Sequence, residues 1–218
     1  EVYEMRFKLA VAYYQLKKYP QALKEFNFVK RTAAENAIHA AYYAAVINFE
    51  NEDFDLALVD LHRVESVNPY KIEVPNWIAQ ILYRQEKYGE LLSYAEPIIS
   101  APNGRKTDEI CMLAAEVLFF KDDFEKAATY YDRFKVLRRG SVDPQVTFRH
   151  GYSLYKTEQH KKAIAIFKTI AAREDALGQQ AAYYLGISAL TTEDFSAAMA
   201  AFDFARKTDF DLEIKEEA

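Results

Sequence analysis

Small residues recur along this chain at an almost constant interval, and that period restricts the fold more than any other feature. Ala10, Ala45, Ala79, Ala115, Gly151 and Gly186 are separated by 35, 34, 36, 36 and 35 residues. Twelve residues after each stands a second column, Ala22, Ala57, Leu91, Ala127, Ala163 and Ala198, small in five of its six members. Three residues before the second column come Tyr19, Phe54, Tyr88, Phe124, His160 and Phe195, and four after it Phe26, Leu61, Ala95, Tyr131, Phe167 and Phe202. Self-similarity at a period of about 20 to 50 residues marks a stack of like supersecondary units, none of which buries its apolar face alone.

Composition makes those units helical. Only 6 Gly and 6 Pro occur in 218 residues, too few for the turns of a sandwich or barrel, while half the residues are apolar. Each period then reads as a helical hairpin, with residues 3–16 and 20–30 as the first pair. The small columns mark where the two helices cross closely, and the aromatic columns fill the space between hairpins. The turns are polar: Lys17-Lys18, Asn51-Glu52-Asp53, Lys121-Asp122-Asp123 and Thr192-Glu193-Asp194. Their acids are expected to meet the positive end of the second helix's dipole. Pro69 and Pro102 should end helices where the next hairpins begin, with Asn103-Gly104 as a turn.

On these columns the sequence resembles the tetratricopeptide repeat family, over nearly its whole length. Ala12-Tyr13-Tyr14 followed by Lys18-Tyr19-Pro20-Gln21-Ala22-Leu23, and Tyr183-Tyr184-Leu185-Gly186, are very similar to the family pattern. The resemblance implies an all-α fold, a right-handed alpha-alpha superhelix of about six hairpins, with twelve helices and a truncated C-terminal segment. The expected organisation is a single solenoid over 1–218, with repeats near 3–36, 38–71, 72–105, 108–141, 144–177 and 179–210. Residues 211–218 begin a seventh, as part of a longer chain. Repeat three departs from the pattern at Leu91 and Ala95, and repeat five at His150 and His160, so these repeats are expected to stack at altered angles. A fainter resemblance, to periplasmic repeat proteins of Bacteroidetes and repeat-containing lipoproteins of outer-membrane assembly, implies a periplasmic or outer-membrane-associated location over a cytoplasmic one.

In that family the first helices line the concave side and hold peptides. Carried onto this sequence, positions three before, one after and four after the first small column make the expected groove. Its partner-binding candidates are Phe7, Tyr14, Tyr42, Phe49, Tyr83, Met112, Phe119, Phe148, Tyr152, Tyr155 and Tyr183, with Val11, Val46, Asn76, Gln80, Glu116, Ile187 and Leu190 between them. Such an apolar strip suits an apolar or amphipathic polypeptide, since Tyr gives contact area with few torsions to freeze. Aromatic doublets such as Tyr42-Tyr43 complicate the assignment, because one ring must pack inward. The family's carboxylate clamp has no counterpart: its places hold Phe7, Val11, Tyr43, Glu73 and Trp77, which offer no cation.

The remaining residues point away from catalysis and from a cofactor. His39, His62, His150 and His160 include no i, i+4 pair that would set two metal ligands on one helical face, and His150 and His160 read as packing residues that could make repeat five pH-sensitive. Cys111, the single cysteine, reads as a buried thiol. Asp122-Asp123 and Glu216-Glu217 read as solvated acids. With 28 Lys and Arg against 33 Asp and Glu the net charge is −5, which disfavours nucleic acid as a partner. No run of about 18 apolar residues spans a bilayer. The expected function is a protein–protein interaction scaffold. The alternatives are a docking region of a larger envelope protein or enzyme, or a self-associating spacer; oligomeric state stays open.

Overall fold

The computed structural model describes residues 1–101 and 107–218, so Pro102 and the Asn103-Gly104 turn lie outside the described residues. Among the described residues thirteen α-helices form: α1 Val2–Gln15, α2 Tyr19–Val29, α3 Ala37–Glu50, α4 Phe54–Val64, α5 Val74–Arg84, α6 Tyr88–Ser100, α7 Asp108–Phe120, α8 Phe124–Leu137, α9 Pro144–Lys156, α10 His160–Phe167, α11 Ala176–Thr191, α12 Phe195–Lys207 and α13 Leu212–Glu217. A short 3-10 helix, Tyr70–Ile72, follows Pro69. There is no strand among the described residues. No helix among them is long and apolar enough to cross a membrane. The chain packs as two compact units, Glu1–Tyr94 and Ala95–Ala218.

Six turns join first helices to second helices, and all six share one geometry. Lys17, Glu52, Glu86, Asp122, Glu158 and Glu193 hold the left-handed backbone conformation, with φ between 57° and 62°. All stand seven residues after the first small column. The amide after each donates to the carbonyl five residues back, as from Lys18 to Tyr13 (2.9 Å), Asp53 to Asn48 (2.8 Å) and Asp194 to Ala189 (2.9 Å). This is the Schellman arrangement, which satisfies the last carbonyls of a helix and usually places Gly at the left-handed position. Of the acids expected to serve the second helix's dipole, Glu52, Asp122 and Glu193 therefore stand one place too early. Their neighbours Asp123 and Asp194 cap the second helix instead, each accepting an amide, from Lys126 (3.2 Å) and Ala197 (3.1 Å).

Burial follows the columns. Ala10, Ala45, Ala79 and Ala115 are fully buried, as are Ala22, Ala57, Leu91, Ala127 and Ala163. A Cβ added at Gly151 would lie 2.7 Å from the Phe167 ring, and one at Gly186 2.6 Å from Phe202. Glycine thus lets an aromatic from the second helix lie directly on the first. In the N-terminal unit Ala10, Ala22, Phe26, Val29, Ala40, Ala44 and Ile47 form one core. In the C-terminal unit Leu154, Ala163, Phe167, Ala181 and Leu185 belong to another. Leu91 and Ala95, the exchanged pair of repeat three, are both fully buried, so the small-for-large swap conserves filling.

Within each unit hairpins stack because a first helix also buries a face against the preceding second helix, as α3 does on α2, α5 on α4, α9 on α8 and α11 on α10. That face is Ala40, Ala44 and Ile47 on α3 and Ala181, Leu185 and Ser188 on α11; the same columns on α7 hold the buried Ile110, Ala114 and Val117. In α1 the same columns carry Met5 and Leu9, which are exposed. In the C-terminal unit α13 packs on α11 and α12. The fully buried Gln179 amide fastens it: Nε2 donates to the carbonyls of Ala205 (3.1 Å), Thr208 (2.9 Å) and Asp211 (2.9 Å), while Oε1 accepts from the Asp211 amide (2.7 Å).

Candidate functional site

The eleven aromatic and methionine positions expected to form the groove share one property: each is half-buried, neither sunk in the core nor standing free. They fall into two groups, one in each unit, and most of their rings rest on other rings.

In the N-terminal unit the doublet Tyr42-Tyr43 divides by helical phase. Tyr43 turns into the first hairpin, stacked on Phe26 at 5.2 Å and 10°, with Tyr14 at 5.3 Å and Phe7 at 6.4 Å. Tyr42 turns the other way and stacks on Tyr70 at 4.1 Å. His39 Nδ1 meets the Tyr70 hydroxyl at 2.5 Å, anchoring the 3-10 helix. Phe49 packs against Trp77 at 4.9 Å, with the Arg84 guanidinium 5.2 Å from its ring centre. Tyr83 rests against Tyr88 at 5.9 Å. Burial raises the Tyr42 hydroxyl above its ordinary range, and the Glu73 charge adds to this. Burial likewise pushes Tyr70 up to about 12. Both stay neutral near pH 7, able to donate and to accept.

In the C-terminal unit Tyr152 and Tyr184 are the hubs. Tyr152 touches Phe119 (5.9 Å), Phe124 (5.7 Å) and Phe148 (6.1 Å), and meets Tyr184 edge-on at 5.1 Å. Tyr155 and Tyr183 flank Tyr184 at 5.2 and 5.4 Å. The Tyr183 hydroxyl donates to Glu217 at 2.7 Å; that bond, more than burial, pushes it up to about 12. Met112 lies half-buried on α7. In the doublet Phe119-Phe120, Phe119 joins the ring cluster, while Phe120 is exposed beneath the Arg149 guanidinium at 4.9 Å.

Two intervening positions are not open. Val46 is buried, and so is Glu116, which accepts the Tyr131 hydroxyl at 2.6 Å and pairs with Arg149. Glu116 therefore braces α7 against α8 and α9. Conversely Tyr43, Trp77 and Tyr184, absent from the expected groove, organise the rings around them. All three stand two residues before the first small column. That shared register was the available signal.

The histidines and the cysteine have structural surroundings. His150 is buried, with Nε2 2.9 Å from Asp132 and its ring 5.7 Å from Tyr131. Burial lowers it to about 4 against the opposing pull of Asp132. His160 lies 5.9 Å from the Tyr155 ring. Burial pushes the Cys111 thiol up to about 11, which leaves little thiolate near neutrality.

Residues 148–210 match the sequence model of the tetratricopeptide repeat family. Among curated protein sequences nothing matches the chain. Solved structures do match. YrrB, described as a TPR protein with an unusual peptide-binding site, superposes with a TM-score of 0.60 at 16% identity, over 82% of this chain and 89% of that one. The C-terminal part of a TPR repeat-containing protein from Cytophaga hutchinsonii gives 0.58 at 17% identity, over 92% and 78%. PilW, a type IV pilus biogenesis factor, gives 0.51 at 18% identity, over 93% and 91%. At these identities the likeness is one of fold. Residues 148–210 carry tetratricopeptide repeats in sequence, and the stacked hairpins of both units have the tetratricopeptide-repeat fold.

Proposed function

We propose that this chain is a non-catalytic interaction module that captures an apolar or amphipathic polypeptide segment on the half-buried aromatic rows of its first helices. The fold is one that serves protein–protein interaction, which supports this class of function. One observation carries the specific reading: the eleven positions combine partial exposure with ring-on-ring packing. Rings held by neighbours have already lost most of their torsional freedom, so a ligand that covers them gains contact area at little further entropic cost. Neutral tyrosine hydroxyls and the flanking Arg84 and Arg149 offer hydrogen bonds to an extended backbone. A polypeptide fits a net charge of −5 better than a phosphate backbone does. YrrB is described as having a peptide-binding site and PilW as a factor in pilus biogenesis. Both are compatible with a peptide ligand here, and PilW with one in the cell envelope.

The test is to select binders from a random peptide library on the immobilised chain and measure the affinity of the enriched peptides by fluorescence anisotropy. A Tyr14→Ala, Phe49→Ala, Tyr83→Ala variant and a Phe119→Ala, Tyr155→Ala variant, both with wild-type circular dichroism, should each be compared with a Val59→Ala, Val136→Ala control on second helices. The reading expects about tenfold or greater loss in at least one aromatic variant and none in the control. Equal affinity in all three would move recognition off the first helices.

A further inference from the structure

Two seams between adjacent hairpins carry a polar pair in the same register, whereas the matching positions hold Ile99 and Tyr130 between α6 and α8 and Ala171 and Ala201 between α10 and α12. The two positions stand eight residues after the second small column and three residues after that column in the next repeat. Between α2 and α4 they are Lys30 and Asp60, with Nζ 2.5 Å from Oδ2 and the carboxylate buried. Arg63 crosses the same seam to donate to the Lys30 carbonyl at 2.6 Å. Between α4 and α6 they are Glu65 and Tyr94, whose hydroxyl donates at 2.8 Å. Between α8 and α10 the positions hold Lys135 and Ile166, and the place of Arg63 is taken by Thr169. The cation remains, but no acid among the described residues pairs with it.

The seam accordingly stands open. Here α10 is only 8 residues long and continues as turns, and a cavity of about 450 Å³ lies between α8, residues 141–142, α9 and α10. Its wall is mainly apolar, including Phe134, Val142, Val146, Ile166 and Ile170. Of the other basic groups lining it, Arg173 is engaged by Asp175 at 2.5 Å and His150 by Asp132. Lys135 forms no ion pair among the described residues. A pocket of this size with few polar groups suits a small molecule.

We propose that this cavity binds a small amphipathic monocarboxylate, its apolar body against Val142, Val146, Ile166 and Ile170 and its carboxylate against Lys135. The first seam of the same molecule displays this chemistry in internal form: Asp60 gives Lys30, from within the chain, the carboxylate that a ligand gives Lys135 from outside. A charged hydrogen bond at the edge of an apolar pocket orients such a ligand, while burial of its hydrocarbon supplies most of the affinity.

Octanoate is the probe, titrated below its critical micelle concentration into the full chain and followed by amide chemical shifts and by calorimetry, with octan-1-ol and octylamine in parallel. Octanoate should saturate and shift amides within 131–150 and 163–173. The alcohol and the amine should bind at least about tenfold more weakly, Lys135→Glu should lose about the same factor, and Lys135→Arg should retain binding. Val142→Trp, which fills the cavity, should abolish the effect with circular dichroism unchanged. Ile166→Asp rebuilds the internal pair of the first seam and should also exclude octanoate. No saturable shift, shifts centred elsewhere, equal binding of octylamine, or undiminished affinity in the exposed-site variant Lys135→Glu would each overturn the assignment. Should Val142→Trp or Ile166→Asp unfold the chain, the Lys135 pair and the three-ligand comparison still decide it.

Discussion

Replacing Glu193 by Gly should stabilise this protein, although it removes a charged side chain from a helix boundary. Glu193 holds φ at 62° at the left-handed end of α11. For a residue with a Cβ that conformation costs about 1–2 kcal/mol, and Gly adopts it without the steric term. Gly also gives up more backbone freedom on folding, by about 0.5–1 kcal/mol, so the net gain is about 0.5–1 kcal/mol. Nothing offsets it through lost contacts, because Glu193 is exposed and makes no side-chain hydrogen bond or ion pair among the described residues. The competing idea is that the acid is there for the dipole of α12, worth about 0.3–1 kcal/mol. Glu193→Gln separates the two: it keeps the strain and deletes the charge. Urea unfolding should place Glu193→Gly above wild type and Glu193→Gln within about 0.3 kcal/mol of it. Glu52→Gly should match, and Asp122→Gly should gain less because Asp tolerates the left-handed region better. The sites lie in different hairpins, so the three gains should add to about 2 kcal/mol. A Gly variant that is neutral or destabilised, with Gln destabilised equally, would refute the conformational reasoning and restore the dipole.

Three further outcomes are expected. Gly178→Ala should destabilise by about 2 kcal/mol or more in the same assay, since its Cβ would lie 2.0 Å from the Arg173 carbonyl oxygen, backbone that cannot swing aside. Gln179→Leu should strip hydrogen-exchange protection from residues 209–218 while leaving α9 and α10 protected, because three hydrogen bonds to the α12–α13 turn and one to the end of α12 depend on that one amide. His150, facing Asp132, Lys135 and Lys162, has its folded pKa depressed to about 4 from an ordinary 6.5. The unfolded chain therefore takes up the proton first, so this stability is full above about pH 6.5 and is lost as pH falls towards 4. His150→Leu, matching Leu185 at the same column, should flatten that part of the pH–stability profile.

The fold was legible because a solenoid is close to one-dimensional: each hairpin contacts mainly its neighbours, so every repeat faces the same packing problem and answers it with the same columns. Ala10 to Gly186 and Ala22 to Ala198 mark the helix crossings whatever lies between them, and the core forms on those columns. The site was legible in part. Helical phase placed Phe7, Tyr42 and Tyr152 on the first helices, but it could not say which ring of Tyr42-Tyr43 turns inward, since neighbours differ by about 100° and both directions meet apolar partners. Only the packing decided that Tyr43 joins Phe26 while Tyr42 meets Tyr70. The turns followed the same division. Acids at Glu52 and Glu193 read as dipole partners until the backbone showed them in the left-handed position. What tertiary structure alone settled were the seams, where side chains about 30 residues apart meet: Asp60 closes one with a carboxylate on Lys30, and Ile166 leaves another open before Lys135. Periodicity specifies the repeat, whereas the differences between repeats act only once two of them are pressed together.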